Sequence, residues 1–309
     1  MVFNDTQQRS RTACQDRRVE SRRAQDIAVI NRAEQPAAHP QHVLGGADAG
    51  LTAQQGYSAY DRLAQVYNRA WGGNSTEQAL PALDRLILRQ IPPDAQILDL
   101  CCGTGQLVRA LLARDYRVTG LDGSEQMLRW ARVNAPGGAF ILADARSFRT
   151  TEIHDLVVST FNSLNHLMDL DELATVFHNV RAALRPHGWF FFEMTLEEGF
   201  RARWRGSYGM VEDDYARVVR PSYDPERREA RDELTLFYAD NGWQRVDLTL
   251  TQRCHSEAEI RSALEGAGFS DIHRYDAQQD LGIGREAGRA FFVARAHANP
   301  PMPTSSSVL

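Results

Sequence analysis

Three acidic residues stand where three successive apolar runs end: Asp99 in "ILDLCCGTGQ", Asp122 in "VTGLDGS" and Asp144 in "LADARSF". A carboxylate at a strand end accepts hydrogen bonds from hydroxyls, amines or cations, and a glycine turn brings backbone N–H groups to a ligand at the carboxyl edge of a parallel sheet. A phosphate cradle is one reading of that turn. A Walker loop fails because no Gly-Lys-Ser/Thr follows, and the dinucleotide fingerprint fails because Val108 stands where its third glycine is needed. Asp99 also points its carboxylate toward the site, which suits a cationic or hydroxyl-bearing ligand better than a pyrophosphate. Asp122 follows Asp99 by 23 residues, the spacing that lays a second strand beside the first and lets its carboxylate accept from two ribose hydroxyls. Asp144 then accepts an adenine N6 proton while the Ala145 amide serves a ring nitrogen. The expected ligand therefore carries an adenosine-like ribose.

Other chemistry is narrowed by residue type. Cys101 and Cys102 invite a thiol site, but successive strand residues face opposite sides of a sheet, so packing is the favoured role. All 35 basic residues are Arg, which excludes a lysine nucleophile, a Schiff base and a P-loop lysine. His154, His178, His187, His255 and His273 are scattered without ligand spacing, so no metal site is expected. "EDD" at 212–214 reads as a solvated face.

These residues need a scaffold that alternates strands with helices. "YSAYDRLAQVYNRAW" puts Tyr60, Leu63, Ala64, Tyr67 and Trp71 on one helical face, and "TEQALPALDRLILRQI" follows as a second helix stopped by Pro92-Pro93. "QILDLCC", "YRVTGLD", "AFILAD", "HDLVVSTF" and "GWFFFEM" read as strands, separated by helices in "GQLVRALLARD", in "SEQMLRWARVN" with Ser124 as its cap, and in "LDELATVFHNVRAALRP". Such alternation predicts a parallel sheet wound on both faces. Residues 206–254 break it with three partly alternating strands, which predicts an inserted antiparallel lid. "SEAEIRSALEGAGF" returns as a capped helix, and "DIHRYDA" and "GRAFFVARA" as closing strands.

Taken together, these motifs resemble a class I S-adenosylmethionine-dependent methyltransferase of the small-molecule type, over about Tyr57 to Ala296. "ILDLCCGTGQ" is similar to that family's first motif, "VTGLDGSEQML" to its ribose-binding strand and helix, "ADARSF" to its adenine motif and "LRPHGWFFFEM" to its fifth strand. The resemblance implies an α/β fold, a doubly wound, mostly parallel seven-stranded sheet with the antiparallel β lid inserted. It implies S-adenosylmethionine (SAM) as cofactor, with the backbone around Cys101, Gly103 and Gly105 along the methionine and ribose. Asp99 points toward the same site, Asp122 holds the ribose, Asp144 and Ala145 the adenine, and Met127 covers the adenine ring. Many members carry glycine where Cys101 stands. Phe161, after the fourth strand, stacks on adenine or flanks the methyl, with Asn162, Asn165 and His166 nearby. His166 is the expected proton acceptor, since an imidazole titrates near neutrality. Tyr60 and Tyr67 either pack or cover the site, with a phenol near the SAM carboxylate or sulfonium. Trp71 and the two glycines after it would hinge that cover.

The expected reaction is methyl transfer to an amine or hydroxyl of a small molecule; the alternative is a SAM-binding regulator without turnover. A formal charge of −5 and the lack of a basic stripe argue against nucleic acid as partner, and no apolar run reaches the ~18 residues of a membrane span. A homodimer is left open. Residues 1–52 read as a disordered extension, 53–296 as the catalytic domain and 297–309 as a disordered tail. The four unpatterned cysteines and the absence of a signal-like h-region fit a reduced, cytoplasmic compartment.

Overall fold

The computed structural model describes residues 55–239, 242–284 and 287–298. The expected extension over 1–52 and nearly all of the tail over 297–309 lie outside them. Two helices come first, α1 (Gln55–Ala70) and α2 (Gly72–Leu86). Then follow β1 (Gln96–Leu100), α3 (Gln106–Leu112), β2 (Arg117–Asp122), α4 (Glu125–Asn134), β3 (Ala139–Leu142), β4 (His154–Ser159), α5 (Leu170–Ala183) and β5 (Leu184–Thr195). After α6 (Glu197–Arg203) come four antiparallel strands, β6 (Tyr208–Val211), β7 (Tyr215–Asp224), β8 (Glu229–Ala239) and β9 (Trp243–Arg253). Finally α7 (Glu257–Gly266), β10 (Phe269–Asp276) and β11 (Arg289–Ala296) complete the fold. No helix of the described residues is long and apolar enough to cross a membrane.

The large sheet has the order β10-β11-β5-β4-β1-β2-β3, parallel except where β11 runs antiparallel to both β5 and β10. Its central strands are apolar on both sides because helices cover both faces. One core lies on the α5 and α7 side, with Phe177, Phe190, Phe192 and Phe292 packed ring against ring; the other lies under α2, α3 and α4. In β2, Gly120 is required by packing: a Cβ there would stand 2.8 Å from the Cys102 Sγ and from the Phe140 ring.

Three local expectations are corrected. β1 ends at Leu100, so both cysteines lie in the turn beyond it rather than on alternate faces of a strand. β5 starts at Leu184, before the glycine, because the residue preceding Pro186 is sterically driven to extended backbone and cannot prolong α5. The inserted sheet has four strands where the alternation predicts three; β6 has only four residues, all exposed, and so carries no period to read.

The inserted sheet packs its inner face on α1. Tyr215, Val219, Leu234, Leu236 and Leu248 close over Leu63 and Val66. Asp214, in the acidic run expected to be solvated, pairs with Arg69 of α1 at 2.6 Å, both groups about half exposed. Arg217 of β7 lies with its guanidinium 4.0 Å from the Trp71 ring centre, 6% exposed, and its Nε and Nη1 have no hydrogen-bond partner.

Candidate active site

A cavity of about 410 Å³ opens at the carboxyl ends of β1, β2 and β4, roofed by α1 and β9. That volume lies within the ordinary range for small-molecule sites. Ten of the residues singled out from the sequence line it: Tyr60, Tyr67, Cys101, Gly103, Asp122, Met127, Asp144, Ala145, Phe161 and His166. Asp99 and Gly105 do not. Asp99 is buried in β1 with Oδ2 unpartnered, and burial, helped by the Asp122 charge, holds its pKa well above the usual carboxylate range. Gly105 takes φ +80 and serves packing, since a Cβ there would come within 2.9 Å of Ala131 on α4.

The turn after β1 gets its shape from left-handed backbone. Cys101 has φ +62 and Gly103 φ +54, and a Cβ on Gly103 would stand 3.4 Å from the Tyr67 ring. Glycine at 103 therefore leaves a slot between turn and helix. A side-chain network fixes that helix: Gln106 Nε2 donates to Asn68 Oδ1 at 2.8 Å, and Asn134 Nδ2 donates to Asn68 Oδ1 and to the Thr104 carbonyl at 2.6 and 2.7 Å. Cys101 lines the cavity while Cys102 packs inward, and burial, with the nearby Asp122 and Asp99 charges, pushes both thiols well above their ordinary pKa. Neither is a thiolate, so neither is a nucleophile at neutral pH.

At the end of β2, Asp122 accepts the Gly103 N–H at 2.8 Å and the Ser124 N–H at 2.9 Å. Burial pushes its pKa up to about 6 against the lowering effect of those bonds. Ser124 caps α4 by accepting the Met127 N–H and donates its hydroxyl to Asp61 of α1 at 2.5 Å. Asp144 is held by its own loop: it accepts the Arg146 N–H at 2.8 Å, and the Arg146 guanidinium pairs with it and with Glu172, each at 2.7 Å.

The segment after β4 carries the remaining groups. Phe161 and Asn162 both adopt φ +59, a strained backbone for residues other than glycine. The Phe161 N–H donates to Glu193 Oε2 at 3.2 Å, and Glu193 in turn forms a buried pair with Arg289 at 2.8 and 2.9 Å. Asn165, expected near the acceptor, is fully buried. It donates to the carbonyls of Thr195 and Arg253 and accepts the Thr195 N–H, tying the segment to β5 and β9.

His166 completes the wall. Its Nδ1 lies 2.7 Å from the Thr251 carbonyl, an acceptor only, so Nδ1 carries the proton and donates it. Nε2 is then the acceptor for the Tyr60 hydroxyl at 2.8 Å, with the two rings edge to face. Burial holds the imidazole neutral, its pKa pulled down to about 4, and holds the Tyr60 phenol well above its ordinary value. The cavity thus presents a neutral, oriented phenol–imidazole relay at one end and a carboxylate ringed by backbone donors at the other.

Several contributors escaped the sequence reading. Arg146 lies inside the quoted adenine motif, where Asp followed two residues later by Arg was a local signal for the turn. Asp61 sits next to Tyr60 on α1, outside the apolar stripe that marks this helix in the sequence. Glu193 and Thr251 become visible only when β5 and β9 are brought to the segment after β4.

A family model described as a methyltransferase domain matches residues 97–188. A dTDP-3-amino-3,4,6-trideoxy-α-D-glucopyranose N,N-dimethyltransferase from Streptomyces venezuelae is 30% identical over 67% of this chain and 89% of its own length. The SAM-bound structure of CalS10, an amino pentose methyltransferase from Micromonospora echinaspora, is 26% identical, with a TM-score of 0.59 covering 75% of this chain and 96% of its own. A SAM-dependent methyltransferase from Clostridium acetobutylicum shares the fold at a TM-score of 0.65 and 17% identity, covering 77% of this chain and 99% of its own.

Proposed function

Because the chain belongs to the class I S-adenosylmethionine-dependent methyltransferases, we propose that it methylates the amine of a small molecule, with an amino sugar as the acceptor class. The observation that carries this reading is the hydrogen-bonded chain from Tyr60 through His166 to the Thr251 carbonyl. An imidazole with its pKa near 4 is too weak a base to ionise an alcohol, but an amine attacks through its own lone pair and only has to shed a proton.

The cavity fits SAM on its own features: the slot that a Cβ at position 103 would narrow, and the Asp122 carboxylate lining the same space. Asp122 would accept from the ribose hydroxyls, Met127, Asp144 and Ala145 would bound the adenine, and Cys101, Gly103 and Tyr67 would flank the methionine portion. Phe161 would stand beside the methyl. When bound, SAM supplies a methyl group on a sulfonium leaving group. The protein's task is to align the acceptor and keep water out. The Tyr60 oxygen, its own proton held by His166 Nε2, would accept the acceptor's N–H and aim the nitrogen lone pair at the methyl, and the methylated ammonium then gives its extra proton to solvent.

Incubation with SAM and the amino sugar nucleotide that gives the S. venezuelae relative its name, alongside a panel of other amines and their hydroxyl counterparts, tests the reading by mass spectrometry. N-methylated product with stoichiometric S-adenosylhomocysteine is expected. Product on hydroxyls alone, or no turnover on any acceptor by a protein that binds SAM, overturns it.

A further inference from the structure

The inner face of the inserted sheet carries two groups whose hydrogen bonding is half made. Asp232 of β8 accepts from the Trp204 indole N–H at 3.2 Å and from the Gln252 amide at 3.4 Å, both through Oδ2. Its Oδ1 meets no donor, and no cation pairs with it among the described residues. Gln252 of β9 is 6% exposed, and its Oε1 is buried without a partner. Gln252 Oε1 thus lacks the donor that a buried polar atom ordinarily has, and beside it the half-buried Asp232 carboxylate keeps one oxygen that no protein group bonds.

Register connects this pair to the cavity. Asp232 lies opposite Leu250, and Gln252 lies two residues beyond Leu250, so all three side chains share one face. Leu250 and Thr251 line the cavity, and Thr251 holds His166. The Asp232 charge also reaches Tyr60, whose hydroxyl pKa it helps to raise.

A partly buried carboxylate with no counter-ion is costly, and a ligand that brings both the charge and the donors recovers that cost. An ammonium has three donors and a positive charge. A phosphate or carboxylate would be repelled, and a neutral hydroxyl brings one donor and no charge. We propose that Asp232 and Gln252 form an ammonium-recognising subsite that selects the protonated amine of the acceptor and orients it beside the Tyr60–His166 pair, where it gives its extra proton to solvent before the lone pair attacks. This proposal rests on the amine reading above.

The experiment compares wild type with Asp232→Asn and Gln252→Met, using the same panel of amines and hydroxyl counterparts, the dTDP-amino sugar first. Asn keeps the size of the side chain and its bond to Trp204. Asp232→Asn is expected to raise the amine KM by about 10- to 100-fold, the usual worth of a hydrogen bond to a charged group, with a smaller change in kcat. SAM affinity stays as in wild type, the preference for amines over hydroxyls narrows, and Gln252→Met shifts KM the same way by less. If wild type methylates amines and both variants keep its KM, or if Asp232→Asn loses SAM binding along with acceptor binding, the subsite is overturned while the amine reading stands. If wild type acts on no amine, both fall.

Discussion

At the end of β2, Asp122 receives two backbone N–H bonds, and Ser124 beside it is bonded to both α4 and α1. On β7 of the inserted sheet, the Arg217 guanidinium is buried against Trp71 with two nitrogens unpartnered, and across the same face Gln252 and Asp232 each keep an open oxygen. At the cavity end of β2 the polar groups are satisfied from within the protein, although Asp99, His154 and Ser159 deeper in the large sheet each keep one unpartnered atom. The inserted sheet holds several in reserve. The part of a site that meets an unvarying ligand can be preorganised completely, whereas the part that meets a particular acceptor must leave bonds for it to make.

Breaking the large sheet should therefore cost most. Arg289→Met strands the buried Glu193 carboxylate and loosens the anchor of Phe161, so unfolding in denaturant should show a loss of about 3–5 kcal/mol; a loss under about 1 kcal/mol would mean that the pair is not holding this region.

Next in size is Asp122→Ala, which should weaken SAM binding by about 1–3 kcal/mol in calorimetry by leaving the ribose hydroxyls without acceptors. The same carboxylate sets a pH dependence. Ribose hydroxyls donate to its ionised form, so SAM affinity should be flat above pH 6 and fall below it, by up to about tenfold per unit. Without ligand the sign reverses: a raised pKa favours the folded state at low pH, and that contribution is lost as pH rises through about 6.

From the inserted sheet the effect should have the opposite direction. Arg217→Met gives up a cation–π contact worth about 1 kcal/mol but frees two buried, unpaired N–H groups that cost about 1–3 kcal/mol each. The midpoint of thermal unfolding should rise. A fall would show that Arg217 is compensated in solution and would erase the contrast between the sheets.

What the sequence disclosed follows the reach of each interaction. Asp122, Ser124 and the Gly103 turn act within about one strand–turn–helix unit, so their spacing could be read directly. Tyr60 and His166 were both noted, yet their bond spans 106 residues, and nothing local indicates that the histidine would be desolvated into a weak base. Asn165 reads as a polar group near the acceptor because it follows the fourth strand beside Phe161 and His166, but its amide is spent on β5 and β9. Asp232 and Gln252 sit on strands whose alternation was visible. Which face turns inward depends on α1 docking beneath them, a tertiary fact that no strand period contains.

The left-handed turn at Cys101 has a consequence for how such a site drifts. A side chain at φ +62 strains the folded state by about 1 kcal/mol, and glycine would relieve that strain but return a similar amount of freedom to the unfolded chain. The two effects nearly cancel, so exchange between glycine and a small residue at this position is close to silent for folding. Selection there acts almost entirely through whatever occupies the cavity, which makes residue 101 a dial that a lineage can turn without first acquiring stability elsewhere.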